Sequence, residues 1–323
     1  MPDPISVLTD AVRVRELATV LRACAEAGAK PLVFKGAALA HTHYAASWQR
    51  PRADADVLIA PESREPVCVV LARLGYERCA LISGDLVMFQ TAFERVDRLG
   101  VEHVLDIHWR IVNPHVVSQA LSHGELLERS VIVRIEDYPM RVPSAVDSLL
   151  LACVHRAAHH PDFEKPFWIE DIHVLASRFG PSEWQTFVTR AADRSVRAIC
   201  FNGLQRAQQT FHTTIPANVL TALSTHVSEP SAILVRKGLR PVDRLASDLR
   251  TLGAVGAVRL VREHLFPPAE YMRAKYGISS PALLPAYYVA RMLSGMSKWF
   301  RPVNSQRPTP NHSQLPTPNN TKR

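Results

Sequence analysis

At 323 residues, 47% apolar and 21% charged, the chain can bury two ordinary cores, and no uninterrupted apolar run reaches the ~18–20 residues of a membrane-spanning helix. Five scattered cysteines without a CxxC pair indicate neither a disulfide framework nor a zinc–cysteine site. A formal charge of +8 suits a polyanionic ligand, although Arg301, Arg307, Lys322 and Arg323 of the tail supply part of it.

Met1-Pro-Asp-Pro-Ile-Ser6 lacks the basic and apolar regions of a secretory signal, so the cytoplasm is the expected compartment. From Ile5 to about Ala27, Leu8, Val12, Leu17, Val20, Leu21 and Cys24 recur at helical spacing, and Gly28 supplies a stop. Pro31–Phe34 reads as a short buried strand broken by Gly36, and Ala37–Tyr44 as a helix. Asp54–Ile59 reads as a second strand, followed by a helix from Pro61 to about Leu74. Between Leu86 and Ile111 the β-formers and the Arg98-Leu-Gly100 turn predict two antiparallel strands. Alternation in the second places Val104, Asp106, His108 and Arg110 on one face, and Leu105, Ile107, Trp109 and Ile111 on the other. A further strand at Val131–Ile135 closes a mixed α/β domain, assigned to residues 1–142.

Ser144-Ala-Val-Asp147 has the spacing of a capping box and opens a helical domain over 143–300. Helices are expected near 145–160, 167–178, 183–194, 196–211, 217–226 and 243–265. Leu283–Phe300 reads either as a terminal helix packed on this domain or as an amphipathic helix on an acidic bilayer. The Pro-rich, basic stretch 301–323 has almost nothing to bury and is expected to be disordered.

The chemistry is concentrated in Phe34–Tyr44, Arg50–Ile59 and Val104–Arg110. Two acids two residues apart on a strand emerge on one face, so Asp54 and Asp56 can share divalent cations while Ala55 points away. Asp106, on a neighbouring strand, completes a three-carboxylate metal set and is placed to accept the proton of an incoming hydroxyl. A glycine ahead of a helix lets backbone N–H groups approach phosphate, so Gly36 and Ala37, with Lys35, Arg50, Arg52 and His108, are expected around a nucleotide. His155 and His159 have a zinc-compatible spacing but lack the glutamate of an HExxH motif, and are expected to line or pack in the cleft between the domains with Asp171 as a hydrogen-bond partner.

The K-G-x-A-L segment at Lys35, a tyrosine, an arginine and then D-x-D resemble the nucleotidyltransferases of the polymerase-β superfamily. The chain is most similar to an uncharacterised nucleotidyltransferase group, with a likeness to the toxin-like enzymes of abortive-infection systems. Asp106-Ile-His-Trp-Arg110 matches that group's third-acid segment. His155–His159, Phe167–Asp171 and Phe266–Arg273 resemble its helical part. Ala37, Ala53 and Ala55 depart from its usual residues without removing a ligand.

The resemblance implies an α+β fold, a polymerase-β-like mixed sheet followed by a mostly helical domain. It further implies transfer of an NMP from an NTP such as ATP, with Mg²⁺ or Mn²⁺, to a hydroxyl or phosphate acceptor with release of pyrophosphate. The acceptor, a small molecule, peptide, protein or tRNA, stays open, as does a non-catalytic nucleotide-binding role.

Overall fold

The computed structural model describes residues 3–79, 83–159, 165–225 and 229–300, excluding the side chains of 159 and 296–300. The tail expected to be disordered lies outside them. Helix α1 (Pro4–Glu26) starts at Asp3, whose carboxylate accepts the backbone N–H groups of Ile5 and Ser6, and buries Leu17, Val20, Leu21 and Cys24. Strand β1 (Leu32–Phe34) runs directly into α2 (Lys35–Thr42). The left-handed residue at this junction is Lys35, with φ 53°, whereas Gly36, expected to break the chain, is already helical.

Strands β2 (Ala55–Leu58), β3 (Glu77–Arg78), β4 (Gln90–Val96) and β5 (Glu102–His108) complete one sheet, with α3 (Arg64–Arg73) between β2 and β3 in the chain. Its order is β1-β2-β5-β4-β3, with β2 and β5 parallel and the other neighbours antiparallel. Short helices α4 (His115–Ser118) and α5 (His123–Glu128) lead to a hairpin of β6 (Val131–Ile135) and β7 (Tyr138–Val142), which pair with each other as a separate sheet. Strand-like alternation at Val131–Ile135 identifies the strand but carries no information about its partner.

The sheet is apolar on both sides. Val33, Val57, Ile59, Leu105 and Ile107 pack with α1 and α3, while Leu32, Phe34 and Leu58 join the helical core. By the two-residue period of β2, Asp56 shares the face of Leu58, toward the helices. A carboxylate there is neither fully solvated nor lost in the core.

The helical part contains α6 (Ala145–His159), α7 (Pro166–Ala176), α8 (Pro181–Asp193), α9 (Arg197–Phe211), α10 (Ala217–Ser224), α11 (Pro241–Leu265), α12 (Ala269–Tyr276) and α13 (Leu284–Phe300). The six helices expected between 145 and 265 are present with ends within two residues of the expected bounds, and α11 is interrupted at Gly253, φ 67° and ψ 179°, a conformation open to glycine. Ser144 Oγ accepts the Asp147 N–H, as a capping box requires. The Asp147 carboxylate also receives Arg129 and Arg190.

Candidate active site

Parallel pairing aligns Asp56 with Asp106 and Leu58 with His108, so β2 and β5 present three polar side chains on one face. One ligand atom from each of Asp56, Asp106 and His108 lies within 4.8 Å of the other two. Lys35 Nζ donates to Asp56 Oδ1 at 2.6 Å and stands 3.4 Å from His108 Nε2. His108 Nε2 is 2.9 Å from the same carboxylate oxygen, and with the proton on Nε2 it donates to Asp56. Phe34 meets the His108 ring edge-on at 5.0 Å and fixes its plane.

These contacts push the two carboxyls apart. Burial raises the Asp56 pKa, but the Lys35 ammonium and the His108 hydrogen bond outweigh it and hold the group well below the usual carboxylate range. Asp106 has no such cation contact; burial, then the charges of Asp56 and Asp54, raise it to about 7. Burial, followed by the Lys35 charge, lowers His108 to about 4, so its imidazole is neutral near pH 7. Gln90 Nε2 reaches Asp106 Oδ2 at 3.4 Å.

The raised Asp106 pKa has a consequence for stability. In the unfolded chain the group loses its proton near pH 3.8, whereas in the metal-free fold it keeps it until about pH 7. Its contribution is therefore full below pH 3.8, declines as pH rises, and is gone above about 7. Urea unfolding should show Asp106→Asn losing less stability than wild type between pH 5 and 8, and the comparison removes the opposite trend contributed by His108. Parallel pH profiles for the two proteins would contradict the assignment.

Asp54 stands one residue before β2 and outside the Asp56–Asp106–His108 group. It is exposed at the rim; partial desolvation and the Asp56 charge raise its carboxyl, a rise that solvent access tempers. Ala37 is buried among α1 and sheet residues. Gly36 has a specific neighbour: a Cβ there would meet the Arg50 guanidinium at 3.2–3.4 Å.

Both arginines expected near phosphate are engaged by acids. Arg50 Nε and Nη2 donate to Asp171 Oδ1 and Oδ2, each at 2.7 Å, in a bidentate pair with both residues buried. Arg52 pairs with Asp10 at 2.6 Å, and Ser47 donates to the same carboxylate. Tyr44 donates to Asp171 at 2.9 Å, and Phe167 lies 4.4 Å beneath the Arg50 guanidinium. This network ties the segment between α2 and β2 to α7. Asp171, expected to pair with the cleft histidines, receives Arg50 and Tyr44, partners that the sequence does not reveal because residues 121 and 127 positions away leave no local periodic signal. His155 stacks edge-on against Trp168 at 5.5 Å, and the His159 side chain lies outside the described residues.

Three comparisons bear on the chain. The model of the family described as "Uncharacterised nucleotidyltransferase" matches residues 7–212, from α1 to just past α9. The solution structure of antibiotic-resistance factor ANT(2'')-Ia is similar at 18% identity, covering 63% of this chain and 98% of that one, with a TM-score of 0.41, too low to carry an argument. No curated protein matches. The family match spans the sheet, the acid cluster and the first four long helices of the helical part, and on that basis the chain belongs to the uncharacterised nucleotidyltransferase family and is a transferase of nucleotidyl groups.

Proposed function

We infer that the cluster on β2 and β5 is the transfer centre, moving an NMP from an NTP to a hydroxyl or phosphate acceptor with release of pyrophosphate. The observation that carries this reading is the convergence of Asp56, Asp106 and His108 within 4.8 Å on the family's matched segment. The donors also fit a divalent ion. Hard carboxylate oxygens suit Mg²⁺ or Mn²⁺, and the site already holds one cation, the Lys35 ammonium, against Asp56. Asp56 and Asp106 would hold the metal, with Asp54 reaching in from the rim; the ion supplies neutralisation of charge on the phosphates and the acceptor oxygen.

The remaining chemistry falls to side chains. Asp106, aligned beside Asp56 on the neighbouring parallel strand, takes the acceptor's proton as the acceptor oxygen bonds to the α-phosphorus. The bond from the α-phosphorus to the bridging oxygen breaks, and pyrophosphate leaves with the electron pair. Lys35, which contacts Asp56 and starts α2, would meet phosphate oxygens there once a metal held Asp56 in its place. His108 holds the Asp56 carboxylate in orientation. Arg50 and Arg52, bound to Asp171 and Asp10, shape the loop that carries Asp54. The cytoplasm, where NTPs and Mg²⁺ are abundant, is the compartment this reading implies.

The test is incubation of the purified protein with each labelled NTP, Mg²⁺ or Mn²⁺ and fractionated cell extract, with pyrophosphate measured and label traced. Metal-dependent pyrophosphate release that EDTA abolishes is the expected result, and the labelled fraction identifies the acceptor class. Binding of NTP and metal without pyrophosphate release in any fraction would instead show a nucleotide-binding partner.

A further inference from the structure

Among the described residues no helix is long and apolar enough to cross a membrane, yet the second half of α11 is apolar on the wrong side for a water-facing helix. Beyond the break at Gly253, Leu260 is buried and Glu263 accepts the Leu86 N–H at 2.6 Å, which fixes this face toward the sheet domain. At about 100° per residue the opposite face carries Val255, Val258, Val261 and Leu265, with Phe266 just past the helix end. Val255 is 86% exposed, Val258 71% and Phe266 54%. Val289 and Leu293 of α13 are also exposed. Contiguous exposed apolar groups at helical spacing mark a docking surface more often than a tolerated accident.

Charge selects the occupant. Between residues 250 and 275 stand five basic residues (Arg250, Arg259, Arg262, Arg273, Lys275) against two acids, Glu263 and Glu270. Glu263 is engaged by Leu86 and Arg259, and Asp85 approaches Arg259 at 3.5 Å. Arg262 lies exposed within the apolar stripe itself. A two-fold dimer through this face would set the same net-basic patch against itself and bring no opposite charge to Arg262. The stretch 301–323 carries Arg301, Arg307, Lys322 and Arg323 and no acid, so it repels the same surface. An anionic bilayer supplies both an apolar interior for the valines and negative headgroups for the arginines.

We propose that the outer face of α11 beyond Gly253, with Val255, Val258 and Leu265 around the exposed Arg262, is a docking surface for an anionic lipid membrane. The surface lies outside the acid cluster and does not depend on its chemistry. It gives the protein a peripheral attachment, with the apolar side chains entering the headgroup boundary and the Arg262 guanidinium at phosphate level.

Co-sedimentation of the full chain with large vesicles tests this, comparing phosphatidylglycerol-containing with pure phosphatidylcholine vesicles. The wild type should bind the anionic vesicles, and Val258→Glu/Leu265→Glu should weaken that binding by about tenfold or more. Both positions are exposed, so circular dichroism and the thermal midpoint of the variant should match wild type. Three results would overturn the proposal. One is absence of binding to anionic vesicles. Another is binding that the double substitution leaves unchanged, which would place the attraction in the tail. The third is a concentration-dependent dimer that the double substitution dissociates, which would make the face a contact between two copies.

Discussion

Asp56→Asn should reduce pyrophosphate release by about a thousandfold or more, the scale of several kcal/mol of lost charge stabilisation at a metal site. Asparagine preserves the shape and one acceptor oxygen for Lys35 and His108, so the loss reports charge rather than collapse. Asp56→Ala is a harsher change. Lys35 and Asp56 are largely enclosed and paired at 2.6 Å, so removing the carboxylate strands an ammonium in a confined space and destabilises the fold as well. A steady-state pyrophosphate assay, with circular dichroism as a fold control, separates the two effects. Activity within tenfold of wild type in a folded Asp56→Asn protein would remove Asp56 from the transfer centre.

The second large effect lies in the clamp between the two parts of the molecule. Asp171→Ala leaves Arg50 buried without its bidentate partner and Tyr44 without its acceptor. Breaking a buried pair by deleting one member costs about 3–5 kcal/mol, whereas replacing both members by apolar groups is often close to neutral. The thermal midpoint of Asp171→Ala should therefore fall by roughly 10 °C. The double variant Arg50→Met/Asp171→Leu should recover much of that loss. Turnover should fall in both, because the Arg50 guanidinium lies directly against Gly36, next to Lys35. Scanning calorimetry together with kcat and KM for the nucleotide reads both parts. A double variant no more stable than the single one would show that Asp171 acts through some contact other than Arg50.

Tyr44 and Arg50 explain why some of this was legible in the sequence and some was not. Elements built by local rules could be read directly: the apolar spacing of α1, the alternation that put Asp106 and His108 on one face of β5, and the capping box at Ser144. Of the acid pair, only Asp56 takes the strand position that the two-residue spacing assigned to both. What escaped the reading depends on tertiary structure. The left-handed conformation at Lys35 is unusual for a residue with a side chain, and local propensity assigns it to Gly36 instead. The contacts of Arg50 and Arg52 with Asp171 and Asp10 turn two apparently free cations into internal ties. Asp54 falls one residue before the strand that was expected to contain it, since β2 pairs with β5 only from Ala55 onward.

The proposed centre should bind nucleotide and metal together, because Lys35 already contacts Asp56. With no metal present, the lysine neutralises Asp56, so a cation arriving alone must displace an ammonium. A cation arriving with a triphosphate brings an anion to which Lys35 can move. The most direct test of the account is a Mn²⁺ titration followed by electron paramagnetic resonance in the presence of a non-hydrolysable NTP analogue, using wild type, Asp56→Asn and Asp106→Asn. The account predicts saturable Mn²⁺ binding that the analogue strengthens and that either substitution weakens at least tenfold. Equal Mn²⁺ affinity in all three proteins, or no binding even with the analogue, would contradict it.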